Sequence, residues 1–258
     1  MPKTVESVRE AFSRQCAGVL ELLEFDDVLV EHLVGGLEWI VGELESRSQR
    51  TLATSVGNRL RVLKNVRTTQ SLRPRYETIY NQCVVLLVSY FDATMSDLFK
   101  VAVSNALKAN AVVPARKRSV QLNWQSLNQP DSPVEVLIAE RIVEEDDISF
   151  QDMQSTRRAF NKELGIDLAR DEHTNDIILG QACRHVMAHA GGRVDDRLMN
   201  QISGANPRRL KSAPFVRGEY VAFNPEEVRS LSESMLLFVV GAVEKCSVFS
   251  APPSDSAG

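Results

Sequence analysis

An all-α fold is the class this sequence predicts. Hydrophobic residues recur at helical spacing through most of the chain, cap-like residues stand where those runs begin, and strand-like alternation occurs only in the short segment 215–223. The 258 residues are 43% hydrophobic and 25% charged, a composition that folds and that leaves out both the collagen-like and the disordered classes. We divide the chain into an N-terminal helical extension, 1–73, a helical domain, 74–249, and a Pro- and Ser-rich tail, 250–258, expected to be disordered.

Taken in order, apolar spacing over 5–23 and 27–44 predicts two helices, the second with a stripe of Leu29, Leu33, Leu37, Ile40, Val41 and Leu44. Gly35-Gly36 predicts a kink or a close helix contact there. The polar, basic stretch 46–73 ends before Pro74 and forms the boundary, with Leu60, Val62 and Leu63 able to supply a short helix. The longest helical pattern, 75–108, carries Cys83, Leu87, Phe91, Met95 and Leu98. Its β-branched and aromatic stretch 84–91 would suit a strand, but no turn residues flank it and the 3.6 period runs through.

Residues 112–133 contain Pro114, Pro130, Pro133, the basic Arg116-Lys117-Arg118 and Trp124, which predicts a long connection. Trp124 there serves as a loop anchor or a base-stacking surface. Shorter helices follow at 134–143 and 149–163, the second opened by Ser149 with Asp152 three residues on. The segment 215–223 alternates around Arg217-Gly218 as a small β-hairpin would. After it, Asn224-Pro225-Glu226-Glu227 supplies an N-cap, a first-position proline and a third-position glutamate for a last helix to about residue 248.

The N-terminus, Met1-Pro2-Lys3-Thr4-Val5-Glu6, lacks the apolar core of a secretory signal, and the longest apolar runs, 83–88 and 235–240, are too short to span a bilayer. We therefore expect a cytoplasmic protein with no membrane partner. Cys16, Cys83, Cys183 and Cys246 are far apart and form no CxxC pair, so they read as reduced core residues. The net charge of −4 gives the whole molecule no attraction for polyanions. A nucleic-acid site has to be local, and the stretch 193–217, with Arg193, Arg197, Arg208, Arg209, Lys211 and Arg217 against Asp195 and Asp196, is the candidate.

Chemistry concentrates in one helix. Thr174 can cap it, it runs to Ala190, and Gly191-Gly192 can end it. At about 100° per residue, Leu179, Ala182, Cys183, Val186, Met187 and Ala190 share one arc, while Gln181, Arg184, His185 and His189 share the opposite one. The helix C-terminus favours a protonated histidine and a nearby arginine opposes it, which poises the group near neutrality. Cleavage of a phosphodiester needs one group to take a proton, another to give one, and a fixed positive charge, and His189 and Arg184 have that chemistry.

An arginine, a polar residue, three further residues and a histidine, then a glycine pair and an acidic residue, make up Arg184, His185, His189, Gly191-Gly192 and Asp195. This pattern resembles the signature of the HEPN superfamily. The long helix before it, with Tyr90-Phe91-Asp92 and Asp97-Leu98-Phe99, is similar to the first helix of the RiboL-PSP-like HEPN branch, and the likeness spans roughly 75–249. The resemblance implies a helical bundle that dimerises so that two motif helices form a composite site. It implies a metal-independent endoribonuclease without cofactor, leaving 2′,3′-cyclic phosphate and 5′-hydroxyl ends, in a toxin–antitoxin or antiviral defence system with an antitoxin or regulatory partner. Arg184 would contact the scissile phosphate, His189 would act as base or acid with its counterpart, and His185 would orient groups or bind RNA. Arg193, Arg197, Arg208, Arg209 and Lys211 would hold RNA, and Asp92 and Asp195 would support the site. Position 185 is histidine where the family frequently has asparagine or aspartate, which leaves the role of His185 open.

Two other readings stay open at this point. His185 and His189, at i and i+4, can present two metal ligands, with Asp195 or His173 as a third for a metal-dependent hydrolase, although Val186 stands where HExxH requires glutamate. Alternatively the bundle is a non-catalytic dimer that binds nucleotides or a partner. His32 and His173 read as ordinary surface or capping residues.

Overall fold

Thr4 accepts the amide of Ser7 and Ser7 accepts the amide of Thr4, and this capping box opens a helix, α1 (Val5–Ser46), that runs 42 residues without a break. The computed structural model describes residues 3–68, 73–122, 133–211 and 215–250. The two expected N-terminal helices are thus one, because nothing between Leu23 and Val28 breaks a helix. Gly35 and Gly36 are not a close contact either, since a Cβ on either would meet nothing within 4 Å. The chain turns at Ser48 and returns along the distal part of α1 as α2 (Arg50–Thr68), with Lys64 paired to Glu38 at 2.5 Å.

The long helix α3 (Arg73–Lys108) buries Cys83, Val84, Leu87, Phe91, Met95 and Leu98, as its period predicts, and the strand alternative at 84–91 does not form. A single turn of 3-10 helix, Pro114–Lys117, begins the connection expected at 112–133. Arg118 fastens it, reaching Asp146 at 3.0 Å and the buried Glu163 at 3.3 Å. That contact holds the Asp146 carboxyl well below its ordinary range, at about 2. Trp124 lies outside the described residues, as do residues 251–258 of the expected tail.

Five more helices complete the fold: α4 (Val134–Glu145), α5 (Met153–Leu164), α6 (Glu172–His189), α7 (Asp196–Ile202) and α8 (Pro225–Cys246). Asp152, not Ser149, caps α5, accepting the Ser155 amide at 2.7 Å. Asn224, Pro225 and Glu227 open α8 as expected, through a complete capping box. The β-hairpin does not form, and no strand occurs among the described residues. Gly218 instead turns the segment, at φ +84°, against the chain leaving α6: Val194 donates to Glu219 and Val221 donates to Gly192, each at 2.9 Å. The hydrogen bonds a hairpin would need are taken by that neighbour.

One core serves the whole bundle. Phe12 of α1, Phe91 of α3 and Phe238 of α8 meet edge to face at centroid distances of 6.1 and 5.8 Å. Val5, Val8, Phe12, Cys16, Val19 and Leu23 belong to this core, so the segment 1–73 divides in packing near Leu23, and only its distal part stands apart as an extension. All four cysteines are buried and unbridged. Among the described residues, no helix is long and apolar enough to cross a membrane.

Candidate functional site

The helix α6 begins at Asp171, which accepts the Thr174 amide at 2.9 Å; Thr174 is the third helical residue and completes a capping box, so it is not the cap itself. The helix ends as expected. Gly191 and Gly192 take φ of +62° and +75°, and the Gly192 amide reaches back to the Val186 carbonyl at 3.1 Å.

Between those ends α6 is enclosed on nearly every side. Asp176, fully buried, accepts the amides of Arg209 and Leu210, both at 2.9 Å, and Asn175 donates to the Pro207 carbonyl at 2.7 Å. The polar arc predicted to face solvent is consequently only partly open: Gln181 is buried, Arg184 and His185 are half-buried, and His189 is exposed. The rings of His185 and His189 lie 4.9 Å apart.

That arc looks into a cleft of about 780 Å³ between the start of α5, α6 and α7. From Thr174 to His185 it follows α6 for about 16 Å. Arg158, Arg170, Arg184 and Arg197 line it, and none of them has an ion-pair partner among the described residues. Gln151, Gln154, Gln181, Asn200 and Gln201 add polar groups. Three buried side-chain atoms among the described residues have no hydrogen-bond partner, and two of them, Gln181 Oε1 and Arg184 Nε, belong to residues of this cleft; the third is Ser232 Oγ. Buried polar atoms are ordinarily paired, so these two stand out in the wall of the cleft.

Behind Gln181 stands Asp92 of α3, which accepts from Gln181 Nε2 at 2.8 Å. Burial raises its carboxyl to about 7, against the opposing pull of the Gln181 hydrogen bond and the Arg184 charge. His185 is shifted down, first by burial and then by Arg197 and His189, so it is neutral and free to accept a proton at neutral pH. The sequence sets the helix C-terminus, which favours a protonated histidine, against a nearby arginine, which opposes it; at His185 burial adds to the opposing side.

The basic stretch 193–217 is not one open surface. Arg193 stacks on Tyr220 at 4.0 Å and donates to Gly218; Arg208 donates to the carbonyls of Leu210 and Lys211. Arg209 pairs with Glu233 at 2.7 Å, Lys211 with Glu227 at 2.9 Å, and Arg217 with Asp196 at 2.7 Å. Of the basic residues of that stretch, Arg197 alone lines the cleft. Asp195 caps α7, accepting from Leu198 at 2.8 Å. His173 sits at the start of α6 beside Ser234, about 24 Å along the axis from His189, which removes it as a shared metal ligand. Among the described residues, no three His, Cys, Asp or Glu side chains group to hold a metal ion.

Sequence reasoning missed Arg158 and Arg170. They lie on another helix and a loop, and no spacing rule links them to Arg184. No family model, curated protein or solved structure matches the chain.

Proposed function

We propose that the chain is a metal-independent endoribonuclease of the HEPN type. The observation that carries this reading is the arginine-lined cleft that ends at Arg184 and His185, with His189 4.9 Å beyond. An RNA strand laid in the cleft would have its phosphates met by Arg158, Arg170 and Arg197 and one phosphodiester brought to Arg184. His185, neutral at pH 7, takes the proton of the 2′-hydroxyl. The 2′-oxygen then bonds to phosphorus, the bond to the 5′-oxygen breaks, and that oxygen takes a proton from His189 or its counterpart in a second subunit, acting as general acid. Arg184 balances the charge that develops on the phosphate oxygens. Products are a 2′,3′-cyclic phosphate and a 5′-hydroxyl. A composite site made by two subunits, a restraining antitoxin or regulator and a role in defence come with the resemblance of the Arg184–His189 pattern.

The test is cleavage of labelled total RNA and tRNA in excess EDTA, beside Arg184→Ala, His185→Ala and His189→Ala. We expect cyclic-phosphate ends and rate losses of about 100-fold or more in Arg184→Ala and His185→Ala. EDTA-sensitive cleavage would replace this reading with metal hydrolysis. Tight RNA binding without cleavage, unchanged by the variants, would leave a nucleotide-binding module.

A further inference from the structure

Beyond Leu23, α1 leaves the core, and its distal part forms with α2 a hairpin in which Ala53 is the only described side chain that is fully buried. Val34, Leu37, Val41 and Leu44 face Val56, Leu60 and Leu63 between the helices and are only half-covered. At about 100° per residue, Glu38 and Lys64, which pair, lie on one flank of this seam. Leu33, Gly36 and Ile40 of α1 and Leu52 and Arg59 of α2 lie on the other flank, with Trp39 and Val62 beyond them. Leu33, Ile40, Leu52 and Val62 are exposed, and Trp39, 71% exposed, stands at the outer edge of this flank, an apolar face on an otherwise charged hairpin.

The two helices carry opposite charge. From Glu21 to Ser46, α1 has carboxylates and no Lys or Arg; α2 has Lys and Arg and no carboxylate. Arg59, on the apolar flank, has no ion-pair partner among the described residues. We propose that this face is covered by a second copy of the chain, two hairpins stacking into an antiparallel four-helix bundle. A two-fold axis along the hairpin lays the acidic α1 of each copy on the basic α2 of the other. The alternative axis, across the hairpin, lays acid on acid and base on base, and the charge pattern rejects it. The face is about 28 Å long and two helix widths across, on the order of 600 Å² per copy, which reaches the lower bound for a specific interface. The occupant that matches in length, in apolar content and in charge is the hairpin itself.

The test is the mass of the full-length chain in solution, by sedimentation and light scattering, beside Trp39→Ala/Ile40→Lys and Arg59→Glu. We expect the double substitution to halve the mass of the assembly with helical circular dichroism unchanged, and Arg59→Glu to raise the concentration at which it forms. In a Trp124→Phe background Trp39 is the only tryptophan, and its emission is expected to shift to longer wavelength on dilution. A wild-type chain that is monomeric at every concentration, a double variant that keeps the wild-type mass, or Trp39 emission that is solvent-like and independent of concentration would each overturn the proposal. None of these readouts depends on RNA cleavage.

Discussion

In α1 the first half places Val5, Val8, Phe12, Cys16, Val19 and Leu23 in the core, while the second half, with similar helical spacing of apolar residues, buries none of those described. The first half packs with α3 and α8, as Phe12 does with Phe91, while α2 runs along the second, as the Glu38–Lys64 pair shows. An apolar stripe therefore states that a helix face has to be covered, and the partner that covers it is set elsewhere in the chain. A related contrast holds for α6, whose polar arc looks in sequence like a solvated surface and instead closes one wall of a cleft, because α5 and α7 rise on either side of it.

The sharpest way to break this contrast is to cut one large aromatic from each half of α1. Phe12→Ala should cost about 3–5 kcal/mol in denaturant unfolding, the cost of an unfilled core site. Trp39→Ala, measured on dilute protein, should cost about 0.5 kcal/mol or less, as at other exposed positions. Similar losses in both would erase the distinction between core and hairpin.

A second effect isolates the cleft wall. Asp92 is raised from an ordinary 3.8 to about 7, first by burial, so the folded chain holds that proton to higher pH than the unfolded chain. Wild-type stability should consequently fall as pH rises from about 4 to about 7, by on the order of 3 kcal/mol once partial exposure screens it. Asp92→Asn should not show this fall. Parallel urea midpoints for both chains at low and at neutral pH would mean that Asp92 is not strained by burial.

A smaller effect separates the arginines of the cleft from those of the loop. On RNA made uncleavable by 2′-O-methylation, Arg158→Gln and Arg170→Gln should each weaken binding about tenfold, about 1.4 kcal/mol, and reduce the salt dependence by about one contact. Arg209→Gln, whose partners are Glu233 and Asp176, should leave that slope unchanged. Anisotropy titrations at several salt concentrations decide this, and equal slopes for all three would place the RNA elsewhere.

The smallest contrast uses one substitution at two glycines. In α2 a Cβ on Gly57 meets nothing within 4 Å, and Gly57→Ala should stabilise by about 0.5–1 kcal/mol through helix propensity. In α6 a Cβ on Gly180 would stand 3.0 Å from Leu231 Cδ1, so Gly180→Ala should lose that gain or reverse it. Thermal midpoints that rise equally would show that α6 and α8 are not packed against each other at this point.

The all-helical class, the long α3, the glycine end of α6 and the Asn224 cap of α8 were legible without a structure, because each rests on residues within a turn or two of one another. The hairpin at 215–223 was misread because alternation shows only that a segment suits extended pairing, and residues 192–194 compete for the same hydrogen bonds. The break expected between residues 23 and 27 failed for a related reason: no proline or glycine stands there, and the Gly35-Gly36 pair costs only about 1 kcal/mol per residue in helix propensity, too little to stop a helix that carries its own seam. By itself the sequence determined the local chemistry: which segments coil, where they start and stop, and that an arginine and two histidines share one helical arc. Tertiary structure alone decided that Arg158, Arg170 and Arg197 join Arg184, that Asp92 stands behind Gln181, and that half of α1 goes without cover. These depend on residues far apart in the chain, whose meeting is decided by the packing of whole helix faces and not by any residue's neighbours.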